Sequence, residues 1–258
     1  MLKTTQIIFG FYPRRIIKNI KSIPWYNRTR RDFLKQMKNN DTAFPLAKNF
    51  PCLQDRYDDS GSASGHYFHQ DLFIAQELYK KQPKKHVDIG SRIDGFITHV
   101  ASFREIEVMD IRPLSDTLPN IKFVQADCMG QSMDNYTNYC DSVSSLHAIE
   151  HFGLGRYGDP IDVNGHLKGL NNIYNMLQAN GIFYFSVPIG PQRIEFNAHR
   201  VFSVSYLLEY FRGKYEIESF SFVDDKGDIH RNMILTEDSA LSNFNCKYGC
   251  GIFVLRKV

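Results

Sequence analysis

A doubly wound α/β sheet of seven strands, preceded by a helical extension, is the fold class that the sequence predicts. Three observations carry the prediction. From Lys84 onward, short apolar runs alternate with helical stretches, the rhythm of a parallel sheet with crossover helices. The first run leads into a glycine-bearing turn, Asp88-Ile-Gly-Ser-Arg-Ile-Asp-Gly95. The next two runs each end on an acid, Asp110 and Asp127.

The elements follow in order. Residues 1–40 form a basic arm in which Arg14, Arg15, Lys18 and Lys21 alternate with Ile16, Ile17 and Ile20, a pattern suited to a short amphipathic helix. Residues 41–65 read as a loop, with Pro45, Pro51 and the polar run Asp58-Asp-Ser-Gly-Ser-Ala-Ser-Gly65. Tyr67–Lys81 is a helix with Leu72, Ala75 and Leu78 as its apolar stripe. Strands are expected at His86–Gly90, Ile106–Asp110, Lys122–Ala126, Asp141–Leu146, Gly181–Val187, Glu216–Val223 and Ile252–Arg256. Helices are expected at Phe96–Phe103, Leu167–Leu177 and Val204–Phe211. Lys226–Tyr248 is a long insertion before the last strand, a lid or a subunit contact. The predicted boundary separates a basic extension, 1–57, from the α/β domain, 58–258.

Composition narrows the classes. With 258 residues, 23% charged and 43% hydrophobic, the chain is neither disordered, collagenous nor a coiled coil throughout. The net charge is +3, which argues against a dedicated nucleic-acid binder. That total is a sum of opposites: residues 1–40 hold ten Lys/Arg and one acid, +9, so the rest carries −6. The longest early apolar stretch, Ile7–Tyr12, is too short for a transmembrane span or a secretory core. Five cysteines, Cys52, Cys128, Cys140, Cys246 and Cys250, make a disulfide framework improbable. Cys246 and Cys250 form a lone C-x3-C pair without the second pair of a zinc knuckle. The expected setting is a reduced cytoplasm.

Ligands of open α/β sheets bind beyond the carboxyl ends of the strands, where the order reverses. Gly90, Asp110 and Asp127 all stand there. Glycine lets the backbone approach a ligand, an acid about 20 residues on accepts ribose hydroxyls, and the next acid suits an adenine amino group. Asp94 is expected to cap the helix after the turn. A dinucleotide turn wants G-x-G-x-x-G, but Arg92 replaces the second glycine. S-adenosylmethionine has no pyrophosphate and tolerates the looser turn.

The sequence here resembles the Rossmann-like class I S-adenosylmethionine-dependent methyltransferases. The resemblance rests on Val87-Asp-Ile-Gly-Ser91, Val108-Met-Asp110, Val124-Gln-Ala-Asp127 and Leu177-Gln-Ala-Asn-Gly-Ile-Phe-Tyr-Phe-Ser-Val-Pro188. Longer phrases are similar to the family catalogued as domain of unknown function 268. They are Asp88 to Phe96, Ser144 to Asp159 and Glu195-Phe-Asn-Ala-His-Arg-Val-Phe202. That resemblance spans about 58–258 and implies S-adenosyl-L-methionine as cofactor, with surface-polysaccharide biosynthesis as a frequent setting. The implied cofactor residues are Asp88, Gly90, Ser91, Arg92, Gly95, Asp110, Ile111, Asp127, Cys128 and Leu146.

His147-Ala-Ile-Glu-His151 matches the H-x-x-E-H protease signature, but it follows a strand directly instead of lying inside a helix. A divalent-metal site on His147, Glu150, His151 or Asp159 is a weaker alternative to a metal-free site; we assign no residue to a metal. His147, His151 and His199 are the catalytic candidates, since a sugar hydroxyl needs a base and histidine titrates near neutrality. A phosphate or phosphoramidate oxygen would instead need positioning by arginine. Tyr67, His69, Arg156, Asn197 and Arg200 are the acceptor-binding candidates, and Gln70 and Asp71 are further candidates to cover the cofactor. The expected activity is O-methylation of a small-molecule, nucleotide-activated or polysaccharide-linked acceptor. The alternative is a non-catalytic binding protein of the same fold. No nucleic-acid partner is expected: the place after the fourth strand reads Ser145-Leu-His147, not the Asn/Asp-Pro-Pro-Tyr/Phe element of amino-directed enzymes. A nicotinamide-dependent enzyme is disfavoured by the glycine spacing. The basic arm is either a packing or oligomerisation extension or a weak peripheral contact with anionic lipid at the inner membrane. The oligomeric state stays open.

Overall fold

A computed structural model describes residues 12–40 and 42–258. The apolar residues 7–11 and the first part of the basic arm lie outside the described residues. Two compact units divide the chain, Met1–Ser62 and Ala63–Val258.

In the first unit the short amphipathic helix of the sequence reading is one helix of 27 residues, α1, Pro13–Asn39. Proline at the first position costs nothing, because that N–H has no partner in a helix anyway. Pro24 sits in the interior and removes one rung without ending the helix. The segment after α1 folds back along it through side-chain hydrogen bonds. Arg15 Nε donates to Gln54 Oε1 at 3.2 Å, Gln54 Nε2 to Asn19 Oδ1 at 2.7 Å, and Arg30 Nε to Asn49 Oδ1 at 2.9 Å. Arg56 lies over the Trp25 ring at 5.0 Å. Among the described residues no helix is long and apolar enough to cross a membrane.

The second unit is the expected α/β sheet. Its strands are β1 His86–Ile89, β2 Ile106–Asp110, β3 Ile121–Gln125, β4 Cys140–Leu146, β5 Leu177–Ile189, β6 Arg193–Glu195, β7 His199–Val201, β8 Tyr215–Val223, β9 Ile229–His230 and β10 Gly249–Lys257. The main sheet runs β3-β2-β1-β4-β5-β10-β8-β9. All seven expected strands are in it. The eighth is the two-residue edge strand β9, too short to show any alternation in sequence. β1 to β5 pair in parallel, whereas β10 runs antiparallel between β5 and β8. The order reverses between β1 and β4, and that reversal positions the site.

Helices cover both faces, so the sheet carries two cores. Helix α2, His66–Lys81, packs with α3, Thr98–Ala101, on one side through Phe73, Ile74, Leu78, Ile97 and Val100. Helices α4, Gly165–Met176, and α5, Val204–Phe211, cover the other through Leu170, Ile173, Leu207 and Phe211. The helix expected at Phe96–Phe103 is shorter, because Ile93–Ile97 forms a wide π-type turn broken at Gly95. The 226–248 insertion holds β9 and a short helix, α6, Glu237–Leu241, with a Thr236/Ser239 capping box. Its far end is anchored: the Asp225 carboxylate accepts from the Lys247 and Tyr248 amides, and Phe244 packs on Phe220 and Phe222. The sequence reading missed a small hairpin, β6–β7, which stands outside the main sheet. All five cysteines are free thiols.

Candidate active site

One cavity of about 490 Å³ opens beyond the carboxyl ends of β1, β2, β3 and β4. Its first wall is the turn after β1. Gly90 takes φ +73°, and a Cβ there would stand 2.9 Å from Ala148 Cβ, so glycine is required on both counts. The turn is tied from below by Asp88. That carboxylate is fully buried and accepts from Ser91 N at 2.9 Å, Ser91 Oγ at 2.7 Å and Ser144 Oγ at 2.5 Å. Burial pushes Asp88 up to about 7 despite the hydrogen bonds from Ser144 and Ser91. Asp88 does not line the cavity. It shapes the turn that does.

Gly90, Ser91 and Arg92 do line the cavity, but Gly95 does not. A Cβ at Gly95 would meet Asp71 Oδ2 at 2.5 Å, so that glycine serves packing against α2. Asp94 caps nothing; its carboxylate pairs with Arg92 at 3.0 and 2.7 Å, with both side chains exposed at the cavity mouth. Leu146 is buried in the core on the α2 side, not in the cavity wall.

The second and third walls match the expected order. Asp110 ends β2 and Ile111 follows it against the cavity, and Asp127 and Cys128 follow β3 there. Asp110 is held by Arg112, whose amide, Nε and Nη2 donate to it at 2.8, 3.0 and 2.6 Å. Arg112 in turn lies over the Tyr157 ring at 4.4 Å. Asp127 accepts from Met129 N at 2.9 Å, and burial pushes the Cys128 thiol up.

The fourth wall is the loop after β4. His147 takes φ +52°, an unusual conformation for a non-glycine residue. Its Nδ1 lies 2.7 Å from Glu150 Oε1, and its Nε2 is buried without a partner. Neither nitrogen is presented to the cavity, so this geometry does not supply His147 as a base. Burial alone would lower His147, but Cys250 and Glu150 outweigh it and raise it well above its ordinary value. Glu150 is lowered: burial acts upward, and His147 overcomes it. His151 lines the cavity and donates Nδ1–H to the Ala198 carbonyl at 2.7 Å, while its Nε2 lies 3.7 Å from Glu150. Burial lowers its affinity for a second proton.

Among the acceptor candidates, Tyr67 and Arg156 line the cavity; His69, Asn197 and Arg200 do not. His69 packs on Phe68, and Asn197 is exposed in the β6–β7 turn. Arg200 is a buried strut: its guanidinium donates to the carbonyls of Phe152, Asp162 and Val163 at 2.5, 3.4 and 3.2 Å. Gln70 and Asp71 are buried too, Gln70 accepting from Ser186 Oγ at 2.6 Å. His199 lies outside the cavity, 3.4 Å from Glu195 and against the Tyr248 ring. The sequence reading missed Arg112 and Tyr157, which also line the cavity. Arg112 stands two residues beyond a strand-end acid, and that spacing was its available signal.

A family model described as "Caenorhabditis protein of unknown function, DUF268" matches residues 97–258. The chain belongs to the DUF268 family. The DUF268 match begins after the Gly90 turn, later than the expected 58. No curated protein matches. Among solved structures, the 1,6-didemethyltoxoflavin-N1-methyltransferase of Burkholderia thailandensis, crystallised with 1,6-didemethyltoxoflavin and S-adenosylhomocysteine, is similar over 92% of this chain and 90% of its own. The TM-score is 0.52 and the identity 13%. The [4+2]-cyclase SpnF is similar over 72% of this chain and 81% of its own, with a TM-score of 0.50 and 12% identity. This DUF268 chain thus has the Rossmann-like fold of class I methyltransferases, a fold that the cyclase shares.

Proposed function

We propose that the unit from Ala63 onward is an S-adenosylmethionine-dependent O-methyltransferase for a small-molecule acceptor. The observation that carries this reading is the convergence of Gly90, Asp110 and Asp127, from three successive strand ends, on one cavity. The residues fit the cofactor. Gly90 leaves room for a close approach, Asp110 can take ribose hydroxyls once Arg112 yields, and Cys128 and Phe123 offer apolar surface to a base. When bound, S-adenosylmethionine supplies an electrophilic methyl group. The chain's part is to orient the acceptor in line with it, which accounts for much of the acceleration in such transfers.

The acceptor oxygen we infer is anionic, a phosphate or phosphoramidate in preference to a sugar hydroxyl. Arg92, Arg112 and Arg156 line the cavity; of the histidines there, His147 is turned to Glu150 and into the protein, whereas His151 donates Nδ1–H to Ala198 and keeps Nε2 without a hydrogen bond, 3.7 Å from Glu150. A charged oxygen needs positioning by arginine and no base. Nucleotide-activated intermediates of surface-glycan assembly carry such groups. A second reading, a binding protein that keeps the fold without transferring methyl, is favoured by the closed Arg112–Asp110 pair at the place of the ribose.

Calorimetry with S-adenosylhomocysteine tests the first step. Wild type should bind, and Asp110→Ala should weaken binding by about 1–3 kcal/mol, the worth of hydrogen bonds to a charged group. No binding by folded wild type would refute the cofactor assignment. Binding without methyl transfer to any phosphate-bearing acceptor would favour the second reading.

A further inference from the structure

His66, His147 and Cys250 each direct a ligand atom to one point behind the cavity wall, the three atoms lying within 4.8 Å of one another. They come from three separate elements: the first residue of α2, the residue after β4, and the start of β10. The His66 and His147 rings stack with centroids 5.1 Å apart. His147 Nε2 is buried with no hydrogen-bond partner, an expensive state for a polar atom unless something is meant to bind there. Its other nitrogen is held by Glu150 at 2.7 Å. A carboxylate on the far nitrogen is the arrangement that orients a metal-binding imidazole. Cys250 is fully buried; its thiol lies 3.6 Å from Gln70 Oε1 and 3.9 Å from the Gly251 carbonyl, and it acts on the His147 imidazole, which it raises.

We propose that His66, His147 and Cys250 form a zinc site, with Glu150 as the carboxylate that orients His147. Two imidazoles and a thiolate suit zinc, whereas magnesium and calcium require oxygen ligands. Tetrahedral zinc, with bonds of about 2.0–2.3 Å, spaces its ligand atoms roughly 3.3–3.7 Å apart, so the three side chains close by about 1 Å on binding. His66 is half-buried at a helix start, its ring between those of His147 and Tyr248, and the closure we infer is a side-chain movement there. Binding releases the Cys250 proton to solvent and leaves a fourth position open. The metal would pin the start of α2 and the β4 loop to β10, and so fix the left-handed backbone at His147. This assignment stands whether or not the chain transfers methyl groups.

Full-length protein incubated with excess zinc and then desalted should retain about one zinc per chain by elemental analysis. Cobalt in its place should give a thiolate-to-metal absorption band in the near ultraviolet. Cys250→Ser should abolish the band, and His66→Ala should reduce retained zinc at least tenfold. Cys246→Ser, a buried thiol outside the group, should keep both signals. Circular dichroism checks that each variant is folded. Wild type without stoichiometric zinc, or a band that survives Cys250→Ser, would overturn the site.

Discussion

Asp88 pairs with Val108 of the neighbouring strand, two residues short of the level of Asp110, and the two acids do different jobs, because one is buried and the other faces the cavity. Asp88 belongs to a closed polar chain in which His86 contacts Ser142 Oγ at 2.8 Å and Ser144 Oγ at 3.0 Å, and Ser144 meets Asp88. Unfolded, an aspartate ionises near 3.9; folded, Asp88 holds its proton up to about 7. The native state then binds more protons than the unfolded one between these values, so this residue lowers stability as pH rises from about 4 to about 7. Burial lowers His86 to about 3, and that group acts with the opposite slope below about 6.5. Asp88→Asn removes the first effect and keeps the second. Urea titrations should show the variant gaining on wild type as pH rises from 4 to 7. A difference independent of pH would mean that Asp88 is ionised throughout. The acid at 88 was legible in the sequence, but its role was not, because that depends on Ser144 from a neighbouring strand.

At the scale of elements, the loop after β4 is held by groups that the sequence had suggested for a metal or for the acceptor. Asp159 accepts from the Gly153, Gly155 and Tyr157 amides, and Arg200 reaches in from β7 to carbonyls of the same loop. Charged residues in a glycine-rich segment read equally well as binding groups or as braces. Only the location of their partners decides between these. Arg200→Met should therefore cost about 1–3 kcal/mol of stability, since three part-buried carbonyls lose a charged donor. Thermal unfolding measures it, and cofactor affinity of the folded fraction should fall little. A stable variant that fails only in acceptor binding would return Arg200 to the site. Strand positions were readable for the opposite reason. Buried parallel strands are continuous apolar runs bounded by polar turns, and Ile106–Asp110 falls where the pattern places it. The hairpin β6–β7 and the edge strand β9 are too short for any period to register.

For the whole molecule, the net charge of +3 divides between a basic arm and an acidic body. On α1, Ile16, Ile17, Ile20 and Ile23 are exposed among lysines and arginines. We propose that this face makes weak contact with anionic lipid. Full-length protein should float with vesicles containing phosphatidylserine more than with neutral ones, and should release as salt is raised. A chain lacking residues 1–40 should lose that preference, and equal flotation with both vesicle types would refute the contact. The sequence by itself determined the order of strands and helices, the turn at Gly90 and the acids at 110 and 127, because each follows from local periodicity or from chemistry fixed at a strand end. The tertiary structure decided which of nine histidines meet. It brought His66, His147 and Cys250 together from positions up to 184 residues apart and turned Arg200 away from the cavity. Such convergence depends on how the strands are ordered in the sheet and how the loops pack, and no local pattern along the chain encodes it.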